Sequence, residues 1–236
     1  MQQIIIFLHI PKTAGTSLRR IVEQQVPADR LLSLYPPFAP SDEQRVRERL
    51  MSGTRYLFGH LNYGVHRIVA VDARYITLLR EPVSRVVSYY RHQRTQPDAQ
   101  YYGLIKKGLS LKQFVAERIS FETNNHMTRI LAGHTGQGYL DDESVLDAAL
   151  ANLSRDFLSV GLTERFEESV RLILAALGWN DPAGEGPALP RLNRSPERSP
   201  VTLDSETRAA IVQDNRLDTR LYRTVAAAFP RLPAAQ

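Results

Sequence analysis

Cysteine is absent from the 236 residues, which excludes a disulfide framework, a thiolate metal site and a cysteine nucleophile. Long apolar runs are absent too. The N-terminal one, Ile4 to Ile10, falls far short of the roughly 20 residues that span a bilayer, and it does not read as a signal peptide. Acidic residues are outnumbered, 25 against 30 basic ones, and the net charge of +5 with a pI near 9.6 suits polyanionic partners. Arginine far exceeds lysine throughout, however, so a generally basic solvated surface explains this balance as well as function does, and no nucleic-acid partner is expected. No break in composition divides the chain, and 43% hydrophobic content supplies one full core, so residues 1–236 read as a single domain.

The most informative stretch is the first. Ile4-Ile5-Ile6-Phe7-Leu8-His9-Ile10 is nearly all apolar and reads as a buried, parallel strand, while Leu18, Ile21 and Val22 have helical spacing. Pro11-Lys12-Thr13-Ala14-Gly15-Thr16-Ser17 must then be a tight strand-to-helix turn. Gly15 permits a close backbone approach or a positive φ, Thr16 and Ser17 bring hydroxyls, and the first N–H groups of the helix face the turn. An ordinary turn with a capping serine has the same outline. Lys12 points instead to an anion, most simply a phosphate, because a cation at the end of a buried strand needs a charged partner. The nucleotide-triphosphatase pattern G-x-x-x-x-G-K-[ST] is not met, since Thr16 stands where its lysine would be and Ile10 where its first glycine would be.

His9-Ile10-Pro11-Lys12-Thr13-Ala14-Gly15-Thr16-Ser17-Leu18 resembles the 5′-phosphosulfate loop of sulfotransferases that use 3′-phosphoadenylyl sulfate (PAPS), in particular the carbohydrate branch that includes heparan sulfate 2-O-sulfotransferase. Tyr75 to Arg80 followed by Glu81-Pro82-Val83-Ser84-Arg85-Val86-Val87-Ser88-Tyr89-Tyr90 resembles that family's 3′-phosphate segment, and Phe58-Gly59-His60 its Gly-His pair with the proposed general base. The resemblance implies a P-loop-like PAPS sulfotransferase fold. It also implies PAPS as co-substrate, no metal, and an acceptor hydroxyl on a glycan or a small molecule. The Golgi relatives carry a membrane anchor before this loop; none is seen here, so a soluble, bacterial, cytoplasmic protein is expected.

Along the rest of the chain, Pro27 to Pro40 holds four prolines and reads as a loop, and Ser41-Asp42-Glu43 as the cap of a short helix ending near Gly53. Tyr56 to Phe58 and Arg74 to Leu79 read as strands; Val83, Val86, Val87 and Tyr90 mark the buried face of a long helix that carries Ser84 and Ser88 one turn apart. Gln93 to Gly108 reads as a mobile loop and Ser110 to Ile119 as a helix. Asn124 to Gly133 is a helix whose polar residues either face the acceptor or form a plain amphipathic surface. A helix over Asp141–Leu153, a strand over Phe157–Leu162, a helix over Glu164–Leu177 capped by Gly178, and two helices over Thr202–Phe229 complete the pattern. The alternation gives a three-layer α/β/α fold with a central parallel sheet and the ligand at the carboxyl ends of its strands.

The resemblance assigns roles within that frame. Lys12 neutralises charge on the leaving oxygen; Thr13, Ala14, Gly15, Thr16 and Ser17 hold the 5′-phosphate; Arg80 and Ser88 grip the 3′-phosphate. Arg191 and Arg194, in the Pro/Gly/Arg-rich stretch from Gly184 to Pro200, are further donor contacts, although bare sequence describes that stretch only as a basic loop. His60 is the natural base, having an ordinary pKa near 6.5. His9 reads as an orienting residue beside the loop, and His66, His92, His126 and His134 have no matching context, while an unassigned carboxylate stays open as the base. A P-loop-type nucleotide phosphotransferase or kinase, and a non-catalytic anion- or glycan-binding module, are the competing functions.

Overall fold

The computed structural model describes residues 3–35, 42–179 and 203–229. In chain order these form β1 (Ile4–Leu8), α1 (Gly15–Gln25), β2 (Leu31–Leu34), α2 (Asp42–Met51), β3 (Tyr56–Gly59), α3 (Val65–Ile68), β4 (Ala73–Leu79), α4 (Pro82–Thr95), α5 (Tyr102–Lys106), α6 (Leu111–Ala116), α7 (His126–Ala132), α8 (Glu143–Asp156), β5 (Phe157–Leu162), α9 (Phe166–Leu177), α10 (Ser205–Asp214) and α11 (Arg216–Ala228). The strands pair in parallel in the order β2-β3-β1-β4-β5, with β1 at the centre.

The twofold alternation of a strand sorts β1 onto two cores. Ile4, Ile6 and Leu8 face a cluster with Met127 and Leu131 of α7, Leu146 of α8 and Leu217 and Leu221 of α11. Phe7 turns the other way, onto Phe58, Ile76, Leu18 and Val22 of α1 and Ile173 of α9. With both faces covered, the sheet is the middle of three layers, as the element order implies. A third cluster, in which Val83, Val86 and Tyr90 of α4 meet Phe114 of α6 and Ile211 of α10, extends the molecule beyond the sheet.

Four local expectations need correction. The proline-rich stretch after α1 contains β2, a four-residue edge strand whose register on β3 runs from Leu31↔Tyr56 to Leu34↔Gly59; so short a strand between prolines carries no periodicity to read. The stretch 93–108 is partly helical, because α4 runs to Thr95 and α5 follows. The helix opened by Ser110 has its capping box with Gln113 but stops at Ala116, with Arg118 at φ 51. Asn125 and Thr128 in the 124–133 segment face neither an acceptor nor an amphipathic surface but the core: Asn125 Oδ1 accepts from Leu217 N and Asp218 N (3.0 and 3.2 Å), and the Asp218 carboxylate accepts from Met127 N and Thr128 N (3.1 and 2.8 Å). These bonds bolt α7 to α11. Among the described residues no helix is long and apolar enough to cross a membrane.

Candidate active site

The carboxyl ends of three neighbouring strands, β3, β1 and β4, carry His60, the Lys12 loop and Arg80 respectively. Their convergence follows from strand order alone, since β1 lies between the other two.

The loop after β1 is built by its own bonds. Thr13 Oγ1 donates to the Ile10 carbonyl (2.8 Å), and the Ala14 carbonyl accepts from Ser17 N and Leu18 N (3.0 and 3.2 Å). Positive φ falls on Lys12 (71°) and Ala14 (66°) and not on Gly15, the reverse of the simplest expectation. Left-handed backbone on such residues costs roughly 1–2 kcal/mol each, so the surrounding bonds must hold it. Gly15 is needed for space: a Cβ there would lie 1.9 Å from His9 Cδ2. Ser17 is no cap, because Ala14 occupies that place and Ser17 is buried in the first turn of α1 with Gly15 and Thr16 ahead of it. The leading N–H groups of α1 open at this end of the sheet, a favourable setting for an anion.

His60 follows Gly59, whose missing Cβ lets the strand end lie against Leu34; a Cβ would come within 2.1 Å of the Leu34 carbonyl oxygen. The ring of His60 packs on those of His9 and Tyr35, at centroid separations of 4.9 and 4.6 Å, and the Tyr35 hydroxyl hydrogen-bonds His9 Nδ1 at 2.5 Å. Burial first, then the Lys12 charge and His92, bring His60 down to about 4; burial, His60 and Lys12 bring His9 to about 3. Both rings are therefore neutral at pH 7.

Arg80 Nη1 donates to the Lys12 carbonyl at 3.1 Å, while its buried Nε has no hydrogen-bond partner among the described residues. Glu81 caps α4, accepting from Val83 N and Ser84 N (3.1 and 2.7 Å), and Ser84 and Ser88 lie half-buried on the following turns. Burial and Arg80 lower the Lys12 ammonium, and burial, Arg85 and Arg91 lower Arg80. Crowded, desolvated cations depress one another in this way, and a bound anion relieves them. Arg191 and Arg194 lie outside the described residues.

Several neighbours carried no signal in the sequence. His92 and Glu122 both act electrostatically on or with Lys12, and His126 is lowered first by burial and then by Arg85, Arg129 and His60, so these histidines do have a context. His92 stands one turn beyond Ser88 on α4, so the Ser84, Ser88, His92 spacing was legible as a face. Glu122 and His126 had no such cue. Arg85, expected only as part of a motif, is fully buried, its Nη2 donating to the Glu122 carbonyl.

This architecture is that of a sulfotransferase. The solved structure of a sulfotransferase from Alicyclobacillus acidocaldarius superposes with a TM-score of 0.51 at 17% identity, covering 98% of both chains. The chain belongs to the galactose-3-O-sulfotransferase family, whose model matches residues 2–235. Among curated relatives it is similar to heparan sulfate 2-O-sulfotransferase 1 of Mus musculus, at 26% identity over 74% of this chain, and to heparan-sulfate 6-O-sulfotransferase 1-A of Danio rerio, at 28% over 93%. It spans about half the length of the former (54%) and 63% of the latter.

Proposed function

We propose that the chain, acting as one domain, transfers the sulfuryl group of PAPS to a hydroxyl of a carbohydrate by in-line displacement. The observation that carries this reading is the cation cluster at the ends of β1 and β4, where Lys12 and Arg80 are half-buried together, each lowered by its surroundings, beside the open N-terminus of α1. Such a site favours a ligand with two separated anionic groups. The family match and the heparan sulfate relatives support a glycan acceptor.

PAPS supplies the activated sulfuryl group and departs as adenosine 3′,5′-bisphosphate. In this reading the backbone of Thr13, Ala14, Gly15, Thr16 and Ser17 holds the 5′-phosphate, and Lys12 offsets the charge that grows on the bridging oxygen. Arg80 and Ser88 hold the 3′-phosphate, with Arg191 and Arg194 as further contacts. His60, neutral at pH 7, takes the acceptor proton on a ring nitrogen as the acceptor oxygen bonds to sulfur. Positioning and charge stabilisation supply most of the rate in such a transfer. The test is incubation with labelled PAPS and a panel of glycosides, with and without EDTA. Labelled sulfate ester formed equally in both arms is expected; label transferred to no glycoside, or only with added magnesium, overturns the proposal.

A further inference from the structure

Beyond the donor loop, one cluster of polar side chains has no role in the scheme above. Glu122 lies in the turn between α6 and α7, which Ser120 holds rigid: Ser120 Oγ accepts from Glu122 N at 3.3 Å and pairs with the Tyr89 hydroxyl at 3.1 Å, and Thr123 Oγ1 donates to the Ser120 carbonyl at 2.7 Å. From below, Arg85 fixes the Glu122 carbonyl. The His126 ring, with only 8% of its side chain exposed, stands 3.6 Å from Glu122 Oε2, yet neither of its nitrogens has a hydrogen-bond partner among the described residues. Glu122 Oε2 and two Arg85 nitrogens are unpartnered as well. Buried polar groups are nearly always satisfied, and leaving one unmade costs about 1–3 kcal/mol. Five such atoms lie together at Glu122, which also has the Tyr89 hydroxyl as a neighbour.

The chemistry of the cluster narrows its ligand. Glu122 keeps 24% of its side chain exposed although its Oε2 is covered, so a molecule reaches this carboxyl from its exposed side only, with His126 and Arg85 behind it. It shares the neighbourhood of Lys12, whose charge pulls it down against the upward push of burial, which places it on the transfer side of the site. A carboxyl oxygen accepts, and a neutral imidazole both accepts and donates. A hydroxyl donates to the exposed side of the Glu122 carboxyl, whereas a carboxylate or sulfate would meet its charge.

We propose that Glu122, backed by His126, is the acceptor-binding group of this chain, and that it takes a free hydroxyl of an uncharged glycoside next to the one that is sulfated. The proposal rests on the sulfuryl-transfer reading for its acceptor. The probe is methyl β-galactopyranoside, titrated by calorimetry into the full chain with and without adenosine 3′,5′-bisphosphate, for wild type, Glu122→Gln and Glu122→Ala. Loss of a hydrogen bond to a charged group predicts a glycoside Kd weakened roughly 10- to 100-fold in Glu122→Ala and less in Glu122→Gln, with bisphosphate affinity unchanged. One monodeoxy galactoside should lose a similar factor against wild type and nothing more against Glu122→Ala. The isosteric Glu122→Gln keeps the test valid if the alanine variant fails to fold. Wild-type protein that binds no glycoside, an unchanged Kd in both variants, or deoxy losses that add fully in Glu122→Ala would each overturn it. Failure of wild type to bind the bisphosphate sinks the donor reading instead, and the bisphosphate-free titration still decides the role of Glu122.

Discussion

Arg80 Nη1 and the Lys12 carbonyl oxygen are 3.1 Å apart, so the residue that ends β4 holds the backbone of the loop that follows β1. One guanidinium edge is committed to the loop and leaves the buried Nε uncommitted. In the proposed reading, recognition of the 3′-phosphate is thereby coupled to the shape of the 5′-phosphate loop.

That coupling makes Arg80→Ala informative. Wild type should be stabilised by about 2.7 kcal/mol at a bisphosphate concentration 100 times its Kd, and much less by AMP at the same concentration. In Arg80→Ala the preference for the 3′-phosphate should vanish while AMP binding weakens only slightly through the loosened loop. Differential scanning fluorimetry with the two nucleotides reads this directly; an equal response of wild type to both ligands contradicts the role given to Arg80.

Lys12 and His60 should separate binding from turnover. Lys12→Ala is expected to lower single-turnover transfer by about two to three orders of magnitude while bisphosphate affinity falls far less, since the loop N–H groups remain. His60→Ala should remove about 10²–10⁴-fold from transfer and leave bisphosphate affinity intact. In wild type the acid limb of kcat/KM should sit near pH 4, where the lowered His60 protonates, and not near 6.5. A wild-type rate and profile in His60→Ala would assign the base elsewhere.

Gly15→Ala drives a methyl group into the His9 ring and should lower Tm, in keeping with an overpacking cost of about 1–3 kcal/mol. His9→Ala removes the atoms the methyl strikes. The double variant Gly15→Ala/His9→Ala should therefore be no less stable than His9→Ala alone. Additive losses by thermal melting would mean that the glycine serves some other purpose.

The buried histidines set the acid response. Lowered values in the fold mean that the unfolded chain binds protons first, so stability falls as pH drops from about 6.5, by about 1.4 kcal/mol per pH unit for each such group, and levels off below the folded value. For His60 that window runs from 6.5 to about 4. Glu122 and Asp218, raised by burial, oppose it at the lower end. Urea melts across this range should give a shallower slope for His60→Asn than for wild type; identical slopes would contradict the lowered His60.

Much of this arrangement could be read from the chain. The strand ends that carry Lys12, His60 and Arg80 were marked by apolar runs that stop at polar residues, and helix α4 by its 3.6-residue spacing and Pro82. What escaped notice depends on contacts between distant segments. No local rule says that Gly15 is small on account of His9, or that positive φ falls on Lys12 and Ala14. Glu122 in the turn before α7 and His126 at the start of that helix carry no local cue to their neighbours, and the packing of α4, through Arg85, helps to bring Glu122 into the electrostatic reach of Lys12. The polar residues of the 124–133 segment left two readings open because the partners of Asn125 and Thr128, Asn215 and Asp218, lie about ninety positions away.

That last feature bears on how the protein is assembled during synthesis. Lys12, His60, Arg80 and Ser88 are made well before Asn215 and Asp218; α7 is tied earlier to Tyr63 and Asn152, through the Ile130 and Leu131 carbonyls, and receives its last hydrogen bonds only when Asn215 and Asp218 arrive. Contacts over such separations form late, since the intervening chain must first surrender its freedom. A nascent chain stopped before α11 therefore holds every strand of the sheet without the final clamp on α7.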